Sequence, residues 1–231
     1  MRTVITALVV GIVVTVFGLP AAAQLSEYQS TLQLRYWGAG NGFGFGSIMA
    51  TDPASSWGAT LRMDSRTNPW SFSGRYDSMS ITPTTWVWNG ASFWDANVHY
   101  RFGRSLNSYL GLLAGYGGAN LNSTLSPSAA GSASGFRFGA EFMTRQPAGW
   151  YFTGEATYGP SWSTSPAGFT GLGNLNVTDL RGAVGYEFEG GWGLEAGWRY
   201  LTGTTPSTSV CPGGCNFQFS GVTAALTFRK P

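Results

Sequence analysis

A strict alternation of polar and apolar residues is the feature that most constrains how this 231-residue chain can fold. In the segment 151–158, the even positions are Phe, Gly, Ala and Tyr, whereas the odd positions are Tyr, Thr, Glu and Thr. Neighbouring side chains of a β-strand point to opposite faces, so such a strand separates an apolar environment from a polar one. The pattern recurs along the chain and predicts a two-sided, all-β structure.

Ten segments of about 10 to 13 residues carry this alternation, and each is long enough to cross a bilayer as a tilted strand. They are residues 26–37, 55–65, 70–79, 92–103, 107–117, 134–144, 149–159, 176–188, 191–202 and 217–228. Tight turns near 66–69, 103–105, 145–147 and 189–190 alternate with long Gly-, Ser- and Thr-rich segments near 38–54, 80–91, 118–133, 160–175 and 203–216. This asymmetry is typical of a transmembrane antiparallel up-and-down β-barrel. A soluble β-sandwich, the alternative, gives no reason for it.

The N-terminal residues predict a cleaved signal peptide over 1–23. Arg2 precedes an apolar stretch that ends at Pro20, and Ala21–Ala23 supply a small-residue cleavage site. The apolar stretch is short for a transmembrane helix, and no later segment stays apolar for about twenty residues. We therefore expect one outer-membrane β-barrel domain over 24–231.

Charged residues keep to the face opposite to the apolar one, where they avoid a cost of roughly 2–4 kcal/mol for Arg or Lys at mid-membrane. Thirteen Lys and Arg residues nearly balance eleven acids, which argues against a nucleic-acid partner because that needs a concentrated basic face. The parity predicts that these side chains line the lumen: Arg35, Arg62, Asp64, Arg75, Asp77, Asp95, His99, Arg101, Arg137, Glu141, Glu155, Asp179, Arg181, Glu187, Glu195 and Arg199.

The remaining charges orient the barrel. Five bases fall in the short turns or the C-terminal tail: Arg66, Arg104, Arg145, Arg229 and Lys230. The long segments contain a single charge, Asp52. Aromatic residues gather near both ends of the lipid-facing parity, as expected at two membrane–water interfaces. We expect short periplasmic turns, long outer loops and both termini on the periplasmic side.

The segment 193–201, Gly-Leu-Glu-Ala-Gly-Trp-Arg-Tyr-Leu, together with the leader and the ten alternating strands, resembles the small outer-membrane β-barrel superfamily of OmpA-, OmpX- and OmpW-like proteins. The last strand, with Val222, Ala224, Leu226 and Phe228 on one parity, is similar to the C-terminal signal read by the outer-membrane assembly machinery. It departs from that signal because Arg-Lys-Pro follows the final aromatic residue. The resemblance implies a cell outer-membrane location and contact with outer-membrane lipid and lipopolysaccharide, and we expect a monomer.

His99, the single histidine, lies on the lumen parity with Asp95 and Arg101. A catalytic interpretation would resemble the omptin proteases, ten-stranded barrels that use Asp and His at the outer rim. Four residues along a strand separate Asp95 from His99 by about 13 Å, too far for a hydrogen bond. Lipid A deacylases pair a His with a Ser two residues along, where this chain has Arg101. We therefore predict a structural histidine, no catalytic residue and no cofactor.

Two outer-loop motifs invite functional interpretations. Cys211 and Cys215 flank Pro-Gly-Gly, and an oxidising export route predicts a disulfide between them. Two soft ligands are too few for a metal site. The glycine-rich residues 38–46 follow a strand but open no helix and contain no Lys, so we expect a flexible surface loop rather than a phosphate loop.

The lumen is either a salt-bridged plug or a narrow charged pore. Ten strands leave little interior, and long Arg side chains occupy much of it. Arg75 and Asp95 are placed to pair across neighbouring strands, and Gly111, Gly115 and Gly117 make room. We favour a non-enzymatic surface or structural protein with a largely occluded, charge-paired lumen. A narrow small-solute channel is the alternative, and a barrel hydrolase is a third. A set of outer-loop aromatics suits surface contact: Phe43, Phe45, Trp86, Trp88, Trp162 and Phe169.

Overall fold

The computed structural model describes residues 27–45, 48–82, 89–102, 105–122, 130–146, 149–165, 174–206 and 213–230. The predicted signal peptide, 1–23, lies outside them and stays a prediction. The strands are β1 (Tyr28–Phe45), β2 (Ile48–Ser65), β3 (Trp70–Ile81), β4 (Gly90–Phe102), β5 (Ser108–Asn122), β6 (Gly131–Arg145), β7 (Trp150–Thr164), β8 (Leu175–Glu187), β9 (Trp192–Thr204) and β10 (Cys215–Lys230). Among the described residues, we find no helix with the length and apolarity needed to cross a membrane.

The ten strands form a closed antiparallel barrel in which each strand pairs with its neighbours in sequence, as predicted. β1 closes the barrel against β10, with a register that runs from Ser30 opposite Lys230 to Phe45 opposite Cys215. Closure leaves no sheet edge, so the backbone hydrogen bonds of the strands are satisfied without water. The predicted up-and-down transmembrane barrel is therefore confirmed.

The outside of the barrel is apolar between two belts of exposed aromatic side chains. The outer belt contains Tyr36, Trp57, Trp94, Tyr116, Phe136, Tyr158 and Trp198. The periplasmic belt contains Trp70, Phe72, Tyr100, Phe102, Phe142, Trp150, Phe152, Trp192 and Phe228. Between them the exposed surface is mainly aliphatic, including Leu34, Val98, Leu112, Leu180, Val184 and Leu194. This is the surface of an outer-membrane protein that faces lipid.

The first hairpin corrects the prediction of a long, flexible loop over 38–54. β1 and β2 have 18 residues each and leave only 46–47 between them. Glycine is a poor strand former, and that is why the glycine-rich segment resembled a loop. Pairing with β2 on one side and β10 on the other satisfies its backbone instead. Asp52, predicted in that loop, lies in β2 and is buried.

Above the outer aromatic belt, the polarity of the two faces reverses. The outward residues become uncharged and polar, and we call them the collar: Ser55, Ser78, Ser80, Ser92, Asn120, Asn122, Ser132, Ser134, Asn176, Thr178, Thr202, Thr204, Asn216, Gln218 and Ser220. Several bond across strands, such as Thr202 Oγ1 to Asn216 Oδ1 at 2.9 Å. An 18-residue strand extends roughly 60 Å, which exceeds the ~25 Å apolar band even when it is tilted. We therefore expect the collar to project beyond the lipid.

The inward residues at the level of the collar form an outer apolar core. It contains Trp37, Met79, Ile81, Phe93, Leu121, Trp162, Leu175, Val177, Leu201, Phe217 and Phe219, all buried. Phe219 packs edge-to-face on Phe93 and Trp37, with ring centroids 5.3 and 6.3 Å apart. These side chains fill the outer half of the lumen in the way that a soluble protein fills its interior.

Trp162 corrects the expectation that it is an exposed surface aromatic. Simple alternation along β7 points it outward, but the pairing with β8 is irregular between Gly159 and Trp162, and Ser161 has a φ of 50°. This bulge shifts the alternation by one residue and turns the indole inward, where Nε1 donates to Phe136 O at 2.8 Å. The other predicted surface aromatics lie outside the described side chains: Phe43, Phe45, Trp86, Trp88 and Phe169.

Candidate functional site

The candidate site is the lumen, because the charged side chains predicted from parity lie there in three layers below the outer apolar core. Eleven of them are buried: Arg35, Asp64, Arg75, Asp77, Asp95, His99, Arg101, Arg137, Glu141, Asp179 and Arg199. Five are partly buried: Arg62, Glu155, Arg181, Glu187 and Glu195. Alternate strand positions bring them to the inner face, and barrel closure decides which ones meet.

The first layer is a central charged belt built around Asp77 and Asp179. Arg199 joins the two, donating from Nη1 to Asp77 Oδ2 at 2.7 Å and from Nε to Asp179 Oδ1 at 3.0 Å. The Arg199 guanidinium also lies 4.5 Å from the centroid of the Trp37 ring, which belongs to the outer apolar core. Arg35 donates to the other oxygen of Asp77 at 2.6 Å. The contact between Arg199 and Trp37 thus joins the belt to the apolar core above it.

The belt continues across the lumen through Asp95. The predicted pair of Arg75 with Asp95 is present, and Arg75 Nη2 also donates to Asp179 at 3.2 Å. Arg137 joins Asp95 at 2.8 Å and Glu155 at 3.0 Å. Each acid of this set contacts more than one guanidinium. Such shared, buried pairs lose several kcal/mol when one partner is removed, because a charge is left uncompensated.

Glycines give the belt its space. A Cβ on Gly115 would collide with the side chain of Asn97, and one on Gly117 would press on Asp95 and Trp162. Asn97 donates to Asp95 Oδ1 at 2.6 Å, so the room left by Gly115 holds a member of the network. The void between belt and apolar core is about 20 Å³, room for about one water molecule. Little free space therefore remains between the belt and the outer apolar core.

The second layer surrounds His99. Its Nε2 is 2.8 Å from Ser73 Oγ, and its Nδ1 is 3.1 Å from Glu141 Oε2. The Nδ1 contact is an ion-pair distance only, because the ring is not aligned for a hydrogen bond. Arg62 holds Glu141 with two bonds, of 2.7 and 2.9 Å. Sequence reasoning missed Ser73, since it pairs with His99 from the neighbouring strand β3 rather than from the same strand.

Arg101 closes the periplasmic floor beside this cluster. It is fully buried, and Nη2 donates to the carbonyl oxygens of Ser65 and Asn68 in the β2–β3 turn. Tyr109 lies between two guanidiniums, 5.4 Å from that of Arg62 and 5.8 Å from that of Arg101. Arg101 is thus a structural cation that anchors a turn rather than a member of the acid–base belt.

The third layer is a cavity of about 170 Å³ in the periplasmic half of the lumen. Its wall includes Arg62, Tyr109, Glu141, Tyr151 and Glu195. Glu195 accepts a hydrogen bond from Gln33 Nε2 at 2.8 Å. The charged wall and its volume suit water and small polar solutes.

The described residues bear differently on a metal site and on a disulfide. Within the described ranges, no group of three or more His, Cys, Asp or Glu residues is arranged to hold a metal ion. Cys215 begins β10 and is buried, whereas Cys211 lies outside the described residues. The Cys211–Cys215 disulfide stays a prediction.

Comparison with known proteins identifies the fold. No family model and no curated protein matches the sequence. The structure of the outer membrane protease OmpT from Escherichia coli matches with a TM-score of 0.56 and 14% identity, over 88% of this chain and 96% of that one. The translocator domain of the autotransporter NalP from Neisseria meningitidis has a TM-score of 0.43 and 13% identity, over 87% and 88% of the two chains. An outer membrane channel from Pseudomonas putida F1 has a TM-score of 0.43 and 12% identity, over 88% and 95%.

The likeness to OmpT shows a shared barrel fold and nothing about activity. The resemblance to small outer-membrane β-barrel proteins is confirmed at the level of the fold.

Proposed function

We propose that this protein is a non-enzymatic, non-conducting outer-membrane barrel that presents an uncharged polar collar at the cell surface. The observation that carries the proposal is that two barriers of different chemistry lie one above the other in the lumen. An outer apolar core lies directly above a belt of shared ion pairs, and Arg199 touches both, contacting Trp37 above and Asp77 within the belt.

An ion would have to pass both barriers. In the belt it would compete with guanidinium–carboxylate pairs that are already desolvated, and breaking one such pair costs about 3–5 kcal/mol. In the outer core it would meet aliphatic and aromatic side chains that offer no ligand to replace its hydration shell, which is how hydrophobic constrictions close channels. The small-solute channel is therefore the weaker alternative.

Recording in planar bilayers tests the closed lumen. We expect the wild-type protein to give no conductance steps at either polarity, with insertion verified by protease protection. The double variant Arg75→Ala, Arg199→Ala opens only the belt and should give no conductance. The double variant Trp37→Ala, Phe219→Ala opens only the apolar core and should give none either. The combination of all four should conduct. Steady conductance by the wild type, abolished by Arg75→Ala, would instead establish a charged pore.

One group of contacts favours a hydrolase as the second candidate. The hydroxyl of Ser73 contacts one nitrogen of the His99 imidazole, and the carboxylate of Glu141 lies near the other, as in a catalytic triad. Three observations weigh against it. His99 Nδ1 is not aligned with Glu141, the imidazole is 2% exposed, and the wall of the 170 Å³ cavity includes neither Ser73 nor His99. OmpT is a protease with the same fold, but likeness of fold carries no activity. Covalent labelling by a fluorophosphonate, lost in Ser73→Ala, would overturn the non-enzymatic proposal.

A further inference from the structure

Two arginines expected in a periplasmic turn and in the C-terminal tail point into the mouth of the lumen instead. Arg145 is the last residue of β6 and lies on the same parity as the inward Glu141. Arg229 lies in β10 on the same parity as the buried Thr227. Both side chains are well shielded, with 14% and 13% of their surface exposed. They are therefore part of the lumen wall rather than solvated surface charges.

The two guanidiniums converge on one carboxylate oxygen. Glu187 Oε2 lies 2.8 Å from Arg145 Nη1 and 3.2 Å from Arg229 Nη1. Glu187 is the only acid within ion-pair distance of either base in the described part of the chain. Two positive charges thus share a single negative charge, and the cluster keeps an excess of one positive charge at the mouth.

Several donors of this cluster are unused. Among the described residues, Arg145 Nε and Nη2 and Arg229 Nε are buried and find no hydrogen-bond acceptor. A buried donor without an acceptor costs about 1–3 kcal/mol, and an added acceptor at this cluster would remove that cost. The Arg145 guanidinium lies over the ring of Tyr151, 5.6 Å from its centroid, and this cation–π contact restrains the side chain. The donors are therefore pre-positioned rather than free to turn to solvent.

We propose that Arg145 and Arg229 form a binding site for a phosphate group at the periplasmic mouth of the lumen. A phosphate offers several acceptor oxygens, and the planar guanidinium fork matches them with two parallel bonds. The excess positive charge favours an anion over a cation or a neutral sugar. Arg229 and Glu187 line the 170 Å³ cavity, which gives access to the Arg229 end of the site from the lumen side. The site goes beyond the closed-barrel proposal and depends on neither conductance nor surface contact.

Titration of the full mature protein in neutral detergent with inorganic phosphate tests the site, followed by calorimetry or by the ³¹P line width. We expect saturable binding that chloride at equal ionic strength does not reproduce. Arg145→Gln and Arg229→Gln should each weaken the affinity by about tenfold or more, which is the loss of one charge-assisted contact. The matched control, Arg66→Gln, removes an exposed base from another periplasmic turn and should leave the affinity unchanged.

A third variant guards against failure of the arginine variants to fold. Glu187→Gln removes the competing carboxylate, keeps its size, and should tighten phosphate binding several-fold. Phosphate binding equal in the wild type, Arg145→Gln and Arg229→Gln would overturn the proposal, as would the absence of any saturable binding. Reconstitution into phospholipid vesicles distinguishes the source of the phosphate. Binding of free phosphate that persists there indicates a soluble ligand, and binding that disappears indicates occupation by a lipid headgroup.

Discussion

At the scale of single residues, the lumen depends on a few acids that each serve several bases. Asp77 is the clearest case, since it accepts from Arg35 on one oxygen and from Arg199 on the other, and its side chain is 1% exposed. Removing such an acid leaves Arg35 buried without its ion-pair partner and leaves Arg199 with Asp179 alone, whereas removing an exposed acid leaves no buried charge unpaired.

We therefore expect Asp77→Asn to lower the free energy of unfolding by about 3–5 kcal/mol. Urea titration of the folded protein in lipid vesicles, followed by tryptophan fluorescence, measures this loss. The control is Glu27→Gln at the exposed N-terminal end of the barrel, for which we expect a change within about 0.5 kcal/mol. Equal stability of the two variants would mean that the belt does not depend on Asp77.

At the scale of the strands, one bulge decides how the outer lumen is filled. The indole of Trp162 turns inward at the irregular end of β7 and lies against Gly135 of β6, where any Cβ would collide with it. Gly74, on the lipid-facing side of β3, provides a contrast because a Cβ there would meet nothing within 4 Å. The two glycines have the same intrinsic strand propensity, but only Gly135 lacks space for a side chain.

Substitution of the two glycines separates these roles. Gly135→Ala should displace Trp162, shift its fluorescence to the red and destabilise the barrel by about 1–3 kcal/mol through overpacking. Gly74→Ala should leave the spectrum unchanged and be neutral or slightly stabilising, because alanine suits a strand better than glycine. An unshifted spectrum in Gly135→Ala would show that the indole is not packed as described.

At the scale of the whole molecule, the reversal of polarity above the outer aromatic belt sets how deep the barrel sits. Ser80 and Gly74 both point outward on β3, and Tyr76 of the same strand lies between them in sequence. About 20 Å of strand separates the two positions, which at a tilt of about 40° is about 15 Å along the membrane normal, or more than half of the apolar band. The collar position should be in water and the other in lipid.

Labelling of intact cells tests this depth. A membrane-impermeant maleimide should modify Ser80→Cys and leave Gly74→Cys unmodified, with the wild-type protein as the control for its two native cysteines. Labelling of both substituted positions would mean that the apolar band of this face is not covered by lipid. Labelling of neither would place the collar inside the membrane.

The alternation along each strand was sufficient to predict the number of strands, their antiparallel order and the inward position of charges such as Arg199 and Asp179. It was insufficient at Trp162, where a bulge moves the parity by one residue. It was also insufficient over 38–54, where β1 pairs with both β10 and β2, and this pairing outweighs the weak strand preference of its glycines. The alternation also placed Arg145 in a turn and Arg229 in the C-terminal tail. Both belong to strands and point inward, and the alternation does not show at which residue a strand ends.

The sequence by itself thus determined a barrel and its charged inner face, because side-chain alternation reports the polarity on the two sides of every strand locally. Only the tertiary structure decided which charges meet and how little space is left between the charged belt and the outer apolar core. Arg62 and Glu141 are 79 positions apart, and Arg199 and Asp77 are 122 apart, so their pairing depends on distances across a closed barrel. No local pattern encodes those distances, and they decide which charged side chains form the central belt, line the cavity or lie at its periplasmic mouth.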